Sequence, residues 1–166
     1  ALPGARVEVL TPDFRGDLEA VARVLAAGPH IFNHNMETVR RLYRRVRPQA
    51  DYEQSLRVLA FARRCAPSVL TKSGLMVGLG ESREEVEHLL RDLRAAGVDV
   101  VTIGQYLQPT RRRLPVEEFM PPGAFAAYRE YGLQVGFRAV FSGPLVRSSY
   151  MADLVAAEAG SAGAPV

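Results

Sequence analysis

The sequence predicts an α/β protein built on a parallel sheet with helices packed outside it. Three observations lead there. Short apolar or β-branched runs take turns with segments of helical period. The strand-like run at residues 69–79 breaks into a glycine turn that hands directly over to a capped helix. The chain has 166 residues, whereas a closed eight-unit barrel runs to roughly 250. These observations leave two architectures open: an open doubly wound sheet, or the second half of an open barrel.

Each element has a local reason. Residues 6–10 alternate and stop at Thr11-Pro12-Asp13-Phe14, as a strand ending in a loop would. Asp17 is placed to cap a helix whose Leu18, Val21, Ala22 and Leu25 repeat at helical spacing. Gly28-Pro29 ends it. Residues 30–35 read as the next strand, and a brief helix follows from Thr38 with Val39, Leu42, Tyr43 and Val46 inward. Asp51 caps another, with Tyr52, Leu56, Leu59 and Ala60 expected on its apolar side and Pro67 beyond its end. Ser82-Arg83-Glu84-Glu85 has the form of a capping box. It opens the clearest helix in the chain, with Val86, Leu89, Leu90 and Leu93 inward and Gly97 just past the end. Residues 98–103 form a β-branched run that suits a buried strand. Beyond residue 113 the pattern loosens: a proline-marked loop, a helix at 124–131, a strand at 137–141, and a tail from about 156 with little to bury.

Composition narrows the function. Apolar content of 48% and charged content of 23% are ordinary for a soluble globular domain. No run of about 18 apolar residues is present, so no membrane span or membrane partner is expected. The chain begins without Met and without a basic-then-apolar leader, and runs straight into a strand. The expectation is a cytoplasmic protein and a piece of a longer polypeptide. Cys65 is the single cysteine, which rules out an internal disulfide and a cysteine-built metal site made by this chain alone. Its position before Ala66-Pro67 suggests a packed thiol. A net charge of +3 does not argue for nucleic acid. The arginines do cluster, at 40, 41, 44, 45 and 47 and again at 111–113. Such clusters are solvated faces or docking sites for something acidic.

Three sets of residues could carry chemistry at strand ends, where such sheets bind ligands. Residues 72–81, KSGLMVGLGE, place Gly74, Gly78 and Gly80 around Met76, so that backbone can approach a flat ligand. The same glycines would equally serve a tight structural turn. Asn33, Asn35 and Glu37 offer donors and acceptors for a diol or an amino-acid head group, or else form a polar turn before the next helix. Lys72 and Ser73 could meet a ligand carboxylate, or Lys72 could be a surface lysine. Gln105, Tyr106 and Gln108 end the last strand of the series. In a sequential parallel sheet all three sets would share one rim.

These stretches together resemble the lipoyl synthase family of radical S-adenosylmethionine enzymes. The resemblance is carried by VEVLTPDFRGD (7–17), PHIFNHNMETV (29–39), KSGLMVGLGE (72–81), VTIGQYLQPT (101–110) and GPLVRSSYMADL (143–154). It implies an open parallel (β/α) half-barrel, the C-terminal part of a partial TIM barrel. Residues 1–110 would supply its last four strands, 111–155 an extension with the RSSY motif, and 156–166 a disordered tail. The implied activity is that of a sulfurtransferase in lipoate biosynthesis, inserting two sulfur atoms into a protein-bound octanoyl chain. The implied cofactors are two [4Fe–4S] clusters and S-adenosylmethionine. The implied partners are an octanoylated lipoyl carrier protein or domain and a reductant such as ferredoxin or flavodoxin.

By the same resemblance, Asn33, Asn35, Glu37, Lys72, Ser73, Met76, Val77, Gln105 and Tyr106 fall around the adenosyl ligand. One of Ser148 and Ser149 would ligate the auxiliary cluster, with Arg147 in support. The family's cysteine triads are not in this sequence, and a cluster is normally held by several thiolates. The chain taken alone is therefore expected to be inactive. Another radical S-adenosylmethionine enzyme, or a non-catalytic module that binds an adenosyl ligand, would be the alternatives.

Overall fold

Five strands lie side by side in chain order, all parallel: β1 (Glu8–Leu10), β2 (Ile31–Asn33), β3 (Leu70–Val77), β4 (Val100–Gln105) and β5 (Ala139–Gly143). The computed structural model describes residues 5–149. The expected tail at 156–166 and the end of the RSSY stretch lie outside the described residues. Parallel neighbours need a crossover, and the helices α1 (Leu18–Ala26), α2 (Tyr43–Val46), α3 (Tyr52–Cys65), α4 (Arg83–Ala95) and α5 (Pro122–Gln134) supply them. The architecture is the expected open α/β sheet. Among the described residues the sheet has five strands: β5, where the sequence places a strand at 137–141, pairs with β4.

Local chemistry explains the helix starts. The Asp17 carboxylate accepts from the Glu19 and Ala20 N–H groups, and Asp51 accepts from that of Gln54. Ser82 and Glu85 satisfy each other's backbone in a complete capping box. Val86, Leu89, Leu90 and Leu93 are all buried on α4. At about 1.5–3 kcal/mol for each fully buried aliphatic side chain, that face contributes on the order of 6–12 kcal/mol before entropy is counted, an upper bound.

Two helices depart from expectation. The helix expected from Thr38 breaks into a 3-10 turn at Arg40–Leu42 and the single turn of α2. On α3 the buried side is Tyr52, Ser55, Val58, Leu59 and Ala62, so Leu56 and Ala60 sit at its margin. Ser55 can face inward because its hydroxyl accepts from Tyr43 Oη at 2.8 Å. Cys65 ends α3 and is exposed, not packed, because Ala62 takes the inward position of that last turn.

The sheet has two unlike faces. Leu75, Val77, Val101, Ile103 and Val140 pack under the helices. On the opposite face Ile31, Leu70, Val100, Ala139 and Phe141 form an apolar layer at the start of the strands. Alternation along each strand then puts Asn33, Lys72, Gly74, Thr102, Gly104 and Gly143 above that layer. This face is therefore greasy where the strands begin and polar or bare where they end. At the β1 edge Val7 and Leu10 stay 49% and 59% exposed.

Candidate functional site

The strand ends enclose a cleft of about 280 Å³. That lies just below the usual range for small-molecule sites, about 300–1,000 Å³. Asn35 and Glu37 form one wall, Gly74, Leu75 and Met76 the floor, and Thr102, Gly104 and Gln105 the far side. Val146, Arg147 and Ser148 close over it from the turn after β5. Leu10 completes the rim, so residues from five separate stretches of sequence meet at one mouth.

The floor is open because side chains are missing from it. A Cβ on Gly74 would come within 2.7 Å of Thr102 Oγ1 and 2.9 Å of Asn35 Oδ1. A Cβ on Gly104 would lie 2.2 Å from the Val146 carbonyl oxygen. Gly104 is thus what lets the 144–148 turn settle on the sheet. Glu37 sits at φ 68°, a left-handed conformation that costs a non-glycine residue on the order of 1 kcal/mol or more. Its N–H donates to Gly74 O at 3.0 Å and its own carbonyl accepts from Met76 N at 2.9 Å, which holds it there. The Asn35 amide donates to Glu37 Oε1 at 3.1 Å, while Asn35 Oδ1 is buried without a partner among the described residues. A buried acceptor left empty costs about 1–3 kcal/mol, so the wall is built to receive a donor.

Several expected site residues are elsewhere. Lys72 is fully buried, and its ammonium donates to both Glu8 oxygens, at 2.9 and 3.0 Å. Neither the surface position nor a free charge for a ligand carboxylate applies: its counter-ion is already inside the protein. Asn33 belongs to the same cluster, its amide donating to Glu8 Oε1 at 2.7 Å, and it does not line the cleft. Ser73 and Val77 alternate with Lys72, Gly74 and Met76, so their side chains turn to the helix face, where Val77 joins the core.

Gln105 reaches the cleft, but its amide is spent: Nε2 donates to the Tyr106 and Glu118 carbonyls, and Oε1 accepts from Met120 N. Tyr106 Oη donates to Leu114 O. Both residues peg the 106–121 loop. Ser148 lines the cleft together with Arg147, whereas Ser149 is exposed one residue on. Residues 10, 102, 104 and 146 escaped the sequence reading. The alternation of Gly74 and Met76, carried across to β4, would have found Thr102 and Gly104.

Behind the wall lies His34, buried, with Nδ1 donating to Thr11 O at 2.9 Å and Nε2 without a partner among the described residues. Burial pushes its pKa down. The Thr11 carbonyl and Asp13 oppose that shift, and Arg47 adds to it. Asp13 is held below the usual carboxylate range: burial opposes this, but the Arg15 N–H and the Gln54 amide outweigh it. The folded imidazole therefore binds a proton less readily than the unfolded one. Its contribution is complete above about pH 6.5, the unfolded value, and is lost as pH falls from there towards the folded value. Unfolding free energy measured from about pH 7 to 5 should decline with acid, and His34→Gln should flatten that slope. An unchanged slope would exclude His34 as its source.

Residues 1–93 match the family described as the Radical SAM superfamily. This chain belongs to the radical SAM superfamily. The chain is 59% identical over 158 residues to a lipoyl synthase of Thermus thermophilus, covering 95% of this chain and 49% of the relative. It is 58% identical over 151 residues to one of Rubrobacter xylanophilus, covering 91% and 47%. A chloroplastic lipoyl synthase 1 of Zea mays is 56% identical over 151 residues, covering 90% and 42%. The chain thus spans about half the length of the curated relatives it matches. The crystal structure of methylornithine synthase superposes with a TM-score of 0.62, covering 91% of this chain and 53% of that one at 17% identity. That likeness shows the fold alone. No helix among the described residues is long and apolar enough to cross a membrane.

The residues present fit one implied group of this superfamily and not the other. A side-chain-free floor at Gly74 and Gly104, the thioether of Met76 and the empty acceptor on Asn35 suit an adenosyl ligand. An iron–sulfur cluster finds no such set. No group of three or more His, Cys, Asp or Glu side chains converges among the described residues. The single cysteine is exposed at the end of α3.

Proposed function

We propose that this chain is the C-terminal half of a lipoyl synthase, and that the cleft holds S-adenosylmethionine against a protein-bound octanoyl chain. The observation that carries the reading is the meeting of the NHNMET and RSSY stretches at one mouth: Asn35 and Glu37 face Arg147 and Ser148 across Gly74 and Met76. Identity of 53–60% to lipoyl synthases over nine-tenths of the chain supports it.

In this reading Asn35 Oδ1 accepts from the ligand's hydroxyl or amine, and Glu37, held by backbone bonds on both sides, takes a second donor. Met76 packs on the base. The glycines let ligand and backbone touch, which excludes water from between them. Arg147 sets the charge at the mouth, and one serine of the Ser148–Ser149 pair would add a single oxygen ligand to an auxiliary cluster whose thiolate ligands this chain does not carry. When bound, S-adenosylmethionine and the two clusters supply the hydrogen removal and the sulfur atoms, while the protein positions and shields them. The cysteine ligands, the octanoylated carrier and the electron donor come from outside this chain.

Calorimetric titration of S-adenosylmethionine into the natural full-length polypeptide tests the binding claim. Asn35→Ala and Glu37→Ala should each weaken binding about tenfold, roughly 1.4 kcal/mol. Asn33→Ala should lower the melting temperature and leave the affinity nearly intact. Unchanged affinity in both cleft variants would overturn the assignment.

A further inference from the structure

A second, wider depression adjoins the cleft on the same rim, with a volume of about 1,580 Å³. It is walled by the loop after β1, the segment joining β2 to α3, and the loop after β4. Four guanidinium groups line it: Arg15, Arg44, Arg47 and Arg113. Two carboxylates, Asp13 and Asp51, line it too, and both are already engaged. Asp13 accepts from Arg15 N at 3.0 Å and from Gln54 Nε2 at 2.8 Å. Asp51 caps α3 through Gln54 N at 2.7 Å.

The arginines that look like a patch in sequence divide here into two kinds. Arg40 is paired with Glu53 and Asp92, Arg41 with Glu85, and Arg45 with Glu117. These tie the 40–46 segment to its neighbours. The side chains of Arg15, Arg44 and Arg113 are exposed and have no acceptor among the described residues. Arg47 is clamped, donating to Asn35 O at 2.9 Å and to Tyr43 Oη at 2.7 Å, and it lies 5.4 Å from the Tyr43 ring centre. Arg47 lines the wide depression and Asn35 the cleft, so this hydrogen bond links the two walls.

We propose that this groove docks an acidic protein segment, presenting the modified lysine to the cleft next door. The groove is too broad for one small anion and is built from three separate loops, so its charges are spread along a path rather than focused on a point. Charge complementarity of this kind steers and orients a partner more than it tightens it. The inference rests on the proposed lipoyl chemistry only for the cargo; the acidic character of the partner follows from the groove.

The test uses a fluorescein-labelled peptide bearing an octanoyl-lysine flanked by Glu and Asp, and its Gln/Asn counterpart, with the natural full-length polypeptide. The acidic peptide should bind more tightly, with an affinity that falls as salt rises. The double variant Arg44→Glu/Arg113→Glu should weaken it about tenfold or more and flatten the salt dependence. Arg57→Glu, on the exposed side of α3, makes a charge reversal elsewhere and should change little. Arg44→Gln/Arg113→Gln gives the same comparison if the reversal unfolds the chain. Equal loss in the Arg57 control, no loss in either double variant, or displacement of the peptide by inorganic phosphate alone would overturn the docking proposal. The lipoyl reading fails separately: there, removing the octanoyl group from the acidic peptide would leave its binding untouched, and the octanoylated peptide would yield no sulfur-bearing product.

Discussion

Replacing Lys72 with Met should destabilise the folded chain by about 3–5 kcal/mol, the usual cost of breaking a buried ion pair. The side chain of Lys72 is 0% exposed and that of its partner Glu8 only 14%. Removing the ammonium leaves a mostly enclosed carboxylate whose remaining side-chain partner is the Asn33 amide. For a chain of this size each kcal/mol moves the melting temperature by about 2–4 °C, so a drop on the order of 10 °C is expected. The double variant Lys72→Met/Glu8→Leu should recover most of it, since two matched apolar residues can replace a buried pair at little cost. Thermal unfolding of the three variants checks this. A single variant within about 1 kcal/mol of the parent would mean that the pair is worth no more than a surface one.

Gly104→Ala should cost function far more than stability. The added methyl would sit 2.2 Å from the carbonyl oxygen of Val146 and 3.3 Å from its carbon, and backbone cannot rotate aside as a side chain can. The 144–148 turn, tied down by Val146 N donating to Gly143 O at 3.1 Å, must lift. Arg147 and Ser148 would leave the cleft with it. Misplacement by about 1 Å can lower a catalytic rate on the order of a hundredfold, and under the proposed lipoyl reading a loss of that size is expected in the natural full-length polypeptide. Gly123→Ala is the control, because a Cβ there meets nothing within 4 Å. Full activity in Gly104→Ala would remove the turn from the site.

Much of the fold was legible because its signals are local. The capping box at Ser82 and Glu85 and the apolar stripe of α4 lie within one helix. The strands alternate with helical segments along the chain, which suits the sequential parallel order observed. What escaped was decided by partners remote in sequence. Nothing around Lys72 announces Glu8, 64 residues earlier, so the lysine read as ligand-binding. Gln105 read as a rim residue because its acceptor at Glu118 lies in a loop of no regular pattern. Nothing near Ser55 in the sequence marks it as buried, since its partner Tyr43 is on another helix. The arginine cluster was visible as a cluster. Its division into paired and open groups was not, because the division depends on which carboxylates the helices bring alongside. The cleft itself was half legible: Asn35, Glu37 and Met76 were named, but the contribution of Thr102 and Gly104 required the β3–β4 register.

The strands stand in the sheet in the order in which they are synthesised, each hydrogen-bonded to the one made just before it. No strand has to wait for a later one to insert between it and its neighbour. Each new β/α unit can dock, as it emerges from the ribosome, on a template that is already formed. That spares the nascent chain much of the delay and exposure that come with long-range parallel pairing.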